Sequence, residues 1–132
     1  MCRGMKGGFA QAEVSIADAK ADDFAGVVLC GGSSVPDFFW SDKKLQELVA
    51  GMAAAGKVVA AICLSTVVLA KAKLLAGRKA TVYWLPQALD ELKTAGAQYV
   101  RQSLLVHDKI ILAEGPPDSQ KFGQAIRTAL AD

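Results

Sequence analysis

Two short, unbroken apolar runs, Gly26-Val27-Val28-Leu29-Cys30 and Val58-Val59-Ala60-Ala61-Ile62, constrain this chain more than any other feature. A strand that faces solvent on one side alternates apolar with polar residues. A run with no polar position reads instead as a strand buried on both faces, the pattern of a covered parallel sheet. Between the runs lies a helix-length segment: Ser41 can cap a helix whose Leu45, Leu48, Val49 and Met52 share one face, and Gly56 stands where it should stop. A strand, a helix and a second strand at this spacing imply a right-handed crossover. The predicted fold class is therefore α/β, a mostly parallel sheet with helices on both faces.

Further elements follow from period and punctuation. A second helix is predicted from Leu64 through Val67, Val68 and Lys71 towards Leu75, closed by Gly77, and residues 79–82 read as a shorter third strand. Pro86 suits the start of a helix that carries Leu89, Leu92 and Lys93 and ends at Gly96. Residues 99–106 and 109–113 flank His107-Asp108 as a small antiparallel hairpin. Asp118 can cap a last helix over residues 119–131, with Phe122, Ile126 and Leu130 turned inward. No repeat or low-complexity segment interrupts this order. Residues 1–21 read as a partly irregular lead and residues 22–132 as one domain.

Composition narrows the partners. Fifteen basic and 13 acidic residues are scattered along the 132, for a net charge of +2, so no footprint for nucleic acid or a membrane surface emerges. The longest charge-free apolar run, residues 58–70, falls short of the ~20 residues a bilayer requires. The first residues lack the apolar core of a secretory signal, and three cysteines without paired, metal-like spacing fit a reducing cytoplasm. Neither a metal nor an organic cofactor is indicated.

Chemistry can enter at Val59-Ala60-Ala61-Ile62-Cys63-Leu64-Ser65. A cysteine between a buried strand and a following helix sits on a tight turn at the carboxyl edge of the sheet, where small neighbours such as Ala61 and Ser65 let the turn close. The start of the helix would favour a thiolate and lower the thiol's pKa. Equally, a cysteine is a small apolar residue that packs well, so the local pattern leaves a reactive and an inert Cys63 both open.

Five linked blocks then resemble a known family: Val27-Val28-Leu29-Cys30-Gly31-Gly32, Val59-Ala60-Ala61-Ile62-Cys63, Leu75-Ala76-Gly77-Arg78-Lys79-Ala80-Thr81, Ala95-Gly96-Ala97-Gln98-Tyr99-Val100, and Gly115-Pro116 before the last helix. In order and spacing, from about Asp22 onward, they look like the PfpI family of the class I glutamine amidotransferase-like superfamily. That family includes DJ-type deglycases, glyoxalase III enzymes and intracellular proteases or amidases. The resemblance implies a flavodoxin-like sheet and a nucleophile at Cys63. It further implies an oxyanion cradle of backbone N–H groups at Gly31, Gly32 and Leu64, small carbonyl or amide substrates, and a homodimer.

The departures are equally specific. Family members open with a strand and a helix that bears a glutamate against the nucleophile; that unit is missing here, and Glu13 sits in a Gly- and Ala-rich lead. Leu64 stands where many relatives have histidine, and Tyr83 occupies the other common histidine position, so Tyr83 and Cys30 are candidates only for lining the site. His107, the single histidine, falls at the hairpin tip and reads as a turn residue; Glu114 reads as a strand-end charge. Cys30 replaces a usual proline, either as a packing residue or as a thiol within reach of Cys63. Phe38, Phe39 and Trp40, near the loop after Gly32, could line a pocket but read more readily as core or interface anchors, and Lys71, Lys73, Arg78 and Lys79 read as cations around a helix end.

Two functions from different classes follow: an enzyme using Cys63 on a small carbonyl or amide, or a non-catalytic stress-response or interaction domain with Cys63 at most a redox sensor. Without an opening strand, the edge beside Gly26–Leu29 would carry unpaired N–H and C=O groups. A longer chain, a second subunit or residues 8–16 folding back would each cover it.

Overall fold

The computed structural model describes residues 2–132. A leading hairpin pairs β1 (Cys2–Arg3) with β2 (Phe9–Ala10). Two single-turn 3-10 segments, Ile16–Asp18 and Ala21–Asp23, lead into β3 (Gly26–Leu29). Next come α1 (Val35–Phe38), α2 (Lys43–Ala54) and β4 (Val58–Ile62), then a 3-10 turn at Cys63–Ser65 and α3 (Thr66–Lys71). The remainder is β5 (Lys79–Ala80), α4 (Pro86–Thr94), β6 (Gln98–Tyr99), β7 (Leu104–His107), β8 (Ile110–Ala113) and α5 (Ser119–Ala131).

The main sheet has the order β3-β4-β8-β7. β3 and β8 run parallel to β4 on either side of it, and β7 turns back antiparallel to β8. All five residues of β4 are buried, as its unbroken apolar run requires. One cluster, containing Leu45, Val49, Met52, Val67, Leu69 and Leu92, packs α2, α3 and α4 on one face. The other, with Val58, Ala60, Ile62, Ile111 and Phe122, packs α5 on the opposite face. The α/β class, the parallel sheet covered by helices on both faces and the antiparallel hairpin are therefore as the sequence predicts. No helix among the described residues is long and apolar enough to cross a membrane.

Several local expectations are corrected. Asp42, not Ser41, caps α2, its carboxylate accepting the Leu45 N–H at 3.0 Å. The helix predicted from Leu64 to Leu75 begins as a 3-10 turn and ends at Lys71. The Lys73 and Leu74 N–H groups bond back to Ala70 and Leu69, and the chain swings Leu75 into the core. The third parallel strand of the main sheet is β8, while residues 79–82 supply only β5, which pairs with β6 in a separate two-stranded ladder. Asp118 makes no side-chain cap to α5; its carboxylate accepts the Gly115 N–H. Along α5, Phe122 is buried but Leu130 is half-exposed and Ala129 is buried in its place. Successive steps of four residues drift by about 40° each around a 3.6-residue helix, whereas a step of seven nearly closes.

β3 is an edge strand. Residues 8–16 add no strand to it: Phe9 and Ala10 pair with the leading strand, and Val14, Ser15 and Ile16 only border a cavity alongside Val27, Val28 and Leu29. Val28, on the same strand, is 44% exposed.

Candidate active site

β3 and β4 end side by side, with Leu29 opposite Ala61, so the register brings Gly31 up against Cys63 at the carboxyl edge of the sheet. Cys63 has φ +63°, a left-handed conformation that a residue with a Cβ adopts only where the surroundings enforce it. Hydrogen bonds on three sides do so. The Trp40 indole N–H donates to the Leu64 carbonyl at 2.9 Å, buried in the protein. The Tyr83 backbone N–H donates to the Cys63 carbonyl at 3.4 Å. The Ser65 hydroxyl, fully buried, donates to the Cys30 carbonyl at 2.6 Å and ties the end of β3 to the elbow. The small Ser65 thus has a polar duty as well as the steric one read from its size.

Close approach is set by Gly31. A Cβ built on it would lie 2.7 Å from the Cys63 Cβ and 3.5 Å from the Cys63 Sγ. Gly32, at φ +131°, supplies the turn that aims its own N–H back at the sulfur. The Cys63 thiol is pushed above its ordinary pKa by burial; the N–H groups of Leu64 and Gly32 pull the other way without cancelling that effect. The N–H groups of Gly32 and Leu64 thus face the sulfur itself, and the direction of the shift is the opposite of the lowering that a following helix would bring. The enclosing packing outweighs two amide dipoles, and the helix that follows is a single 3-10 turn and six further residues.

The sulfur opens onto a cavity of about 520 Å3 lined by Met5, Cys30, Gly31, Gly32, Cys63 and, from α5 and its approach, Pro116, Phe122 and Ile126. Met5 on the leading hairpin hangs over the cradle, its sulfur 3.5 Å from the Ser33 N–H. No carboxylate, imidazole, ammonium or guanidinium lies among the lining residues. Cys30 lines this cavity. Tyr83 does not; its side chain borders a neighbouring cavity with Arg101, Glu114 and Asp118, and only its backbone reaches the elbow. His107 lies beyond the opposite end of β4, at the β7–β8 turn, with Nε2 2.7 Å from the Lys79 carbonyl. Phe38 is exposed, Phe39 half-buried and Trp40 buried; Trp40 bonds the elbow directly, while Phe38 and Phe39 line a separate cavity beside Cys30 and Gly31. All three cysteines are free thiols. Among the described residues no group of three His, Cys, Asp or Glu side chains is placed to share a metal ion.

Nothing in sequence spacing pointed to Met5 or to the partnership of Trp40 with Leu64. Both are contacts between distant segments, and an indole near a glycine pair signals only burial.

A parallel sheet wrapped by helices, with a cysteine on a strained strand-to-helix elbow beside a glycine pair, defines a flavodoxin-like domain of the cysteine-elbow kind. Residues 1–129 match the DJ-1/PfpI family, and the chain belongs to it. An uncharacterized protein of Methanocaldococcus jannaschii is 42% identical over 129 residues, 98% of this chain and 63% of that protein. A protein of Pyrococcus abyssi named a deglycase is 29% identical over 106 residues, 80% of this chain and 62% of that one. The crystal structure of a ThiJ/PfpI domain protein from Brachyspira murdochii superposes with a TM-score of 0.90 at 26% identity, covering 98% of this chain and 73% of that one. The chain therefore spans less than two thirds of the length of the two curated relatives.

Proposed function

We propose that this chain is a cysteine-dependent enzyme of the glyoxalase or deglycase kind, acting on small, intrinsically electrophilic carbonyl compounds through Cys63. The observation that carries the reading is the strained elbow, which points a thiol into an apolar cavity with the Gly32 and Leu64 N–H groups already on its sulfur. In the first step the Cys63 thiol gives its proton to water as the sulfur forms a C–S bond to an aldehyde carbon and the C=O π pair moves onto oxygen. Backbone N–H groups of the cradle take the resulting alkoxide, and water returns the proton.

An aldehyde fits better than an amide. Amide cleavage requires a proton delivered to a leaving amine, and the lining holds no imidazole, carboxyl or ammonium group to deliver it. Residues 22–132 form the working unit in this reading and residues 1–21 a lead that brings Met5 over the cradle; no cofactor is needed. The assembly is a cytoplasmic homodimer, in line with the low net charge and the uncovered edge of β3.

The test is loss of methylglyoxal incubated with the full chain and with Cys63→Ser. Turnover that disappears in the variant supports the reading. Equal rates, or none in either, overturn it in favour of a non-catalytic interaction domain, the alternative favoured by the missing proton acceptor and the raised thiol pKa.

A further inference from the structure

A cavity of about 380 Å3 lies at the carboxyl edge of the main sheet, next to the elbow but separate from the space that the Cys63 sulfur faces. Loops from distant parts of the chain build it. Glu114 follows β8, which runs parallel to β4, and Arg101 precedes β7, which runs antiparallel to β8. Tyr83 and Trp84 follow β5 and are held to this edge by the Tyr83 N–H on the Cys63 carbonyl. In an open α/β sheet this is the edge where the loops leave crevices for ligands, and the volume suits a small molecule.

Part of the lining is aromatic. Tyr83 and Trp84 are 50% and 60% exposed, and Pro116 and Pro117 complete the wall with rigid rings. The Tyr83 ring rests against Gly115, where an added Cβ would meet its Cδ1 at 3.7 Å, so backbone contact places it. Adjacent aromatic side chains that the core does not use form a ready contact surface for an apolar group.

The rest of the lining is charged, and its charges are not spent on each other. Arg101 and Glu114 share the cavity without closing into an ion pair; the ion pairs of the described residues are Lys44 with Glu47 and Lys71 with Glu91. Nor does the guanidinium lie over either ring, the cation–π contact of the described residues being Arg3 over Phe9. The Asp118 carboxylate is already engaged by the Gly115 N–H at 3.2 Å. One cation and one available carboxylate thus stand apart beside an aromatic wall.

No singly charged ligand satisfies that lining. An anion held by Arg101 would face Glu114 and Asp118, and a cation held by Glu114 would cover the guanidinium without pairing it. A zwitterion meets both needs. Its carboxylate accepts paired N–H groups from Arg101, its ammonium donates to Glu114, and an apolar side chain packs on the rings.

We propose that this cavity binds a free α-amino acid with an aromatic or large aliphatic side chain. Cys63 is not among the lining residues, so the site is independent of the reading of the elbow.

The probe is L-phenylalanine titrated into the 15N-labelled full chain. Hydrocinnamate lacks its ammonium, phenethylamine its carboxylate, and N-acetylphenylalaninamide both charges. L-Phenylalanine should give saturable shifts confined to the amides around Tyr83, Trp84, Arg101 and Glu114, and each analogue should bind at least ~10-fold more weakly. Arg101→Gln should lower the affinity for L-phenylalanine by a similar factor while sparing that for phenethylamine. Glu114→Gln should show the converse selectivity, sparing hydrocinnamate. A misfolded cavity would lose every ligand together, so the crossed pattern separates recognition from stability. Cys63→Ser should bind as the wild type does. Three results would each overturn the proposal: no saturable shift, an uncharged analogue that binds as tightly as L-phenylalanine, or undiminished binding of L-phenylalanine by Arg101→Gln.

Discussion

Replacing Gly31 by alanine tests the packing of the elbow at its tightest point. The added Cβ would lie 2.7 Å from the Cys63 Cβ and 3.3 Å from the Ile62 carbonyl oxygen, against about 3.5–4.0 Å for a comfortable carbon contact. Neither obstacle can rotate aside: the Cys63 Cβ is fixed to a backbone held at φ +63°, and the Ile62 carbonyl belongs to β4. Gly31 is not among the residues with positive φ, so its requirement is for space and not for backbone freedom. Relief must come from parting β3 and β4 at their carboxyl ends, an overpacking cost of about 2 kcal/mol, or about 8 °C in Tm for a domain of this size.

The assay is urea denaturation followed by circular dichroism on four proteins: wild type, Gly31→Ala, Cys63→Gly and the double variant. Because Cys63→Gly deletes the nearer obstacle and suits the left-handed φ, Gly31→Ala should cost less than half as much in that background. An equal cost in both backgrounds, or no cost in the wild type, would refute the reasoning.

Three further outcomes follow from the same geometry. Because the folded-state pKa of Cys63 is raised, the folded chain holds that proton more tightly than the unfolded one. The resulting stability is complete below the ordinary thiol value and is lost as pH climbs through the folded value. The stability margin of the wild type over Cys63→Ser should therefore shrink as pH rises from about 8.5, and denaturation midpoints that keep a constant margin through pH 10 would contradict the burial of the sulfur. Trp40→Phe leaves the buried Leu64 carbonyl without its 2.9 Å donor and should cost about 2 kcal/mol, with a changed pH profile for alkylation of Cys63; an unaltered profile would show that the indole only packs. Ser65→Ala removes the 2.6 Å bond to the Cys30 carbonyl and should cost about 1 kcal/mol, with faster hydrogen exchange at Gly31 and Gly32; unchanged exchange would detach Ser65 from the cradle.

What the sequence made legible was what local patterning controls. β3 and β4 announced themselves because strands covered on both faces can spare no polar position, and the elbow followed from a cysteine at the end of such a run. The grouping of Gly31, Gly32, Cys63 and Leu64 at one sheet edge follows from the register. Less legible was anything decided by distant pairing. Residues 79–82 alternate polar and apolar as a half-covered strand would, yet Thr81 is buried with its hydroxyl on the Gln102 carbonyl, and only Lys79 and Ala80 pair. Ser41 and Asp42 are both capping residues, and adjacent candidates of equal chemistry leave the helix start undecided by one position. The direction of the Cys63 pKa depends on how closely other segments enclose the sulfur, and one strand and its turn do not contain that information.

Cys63 packs against both hydrophobic clusters, the one under α2, α3 and α4 and the one under α5. The sulfur is thus a shared keystone between the two layers on either side of the sheet. Any adduct on it must be accommodated by Trp40's side and Phe122's side together. The emission of the buried Trp40 indole, reporting through the Leu64 carbonyl and separable from exposed Trp84 in a Trp84→Phe background, becomes a built-in gauge of what the thiol carries.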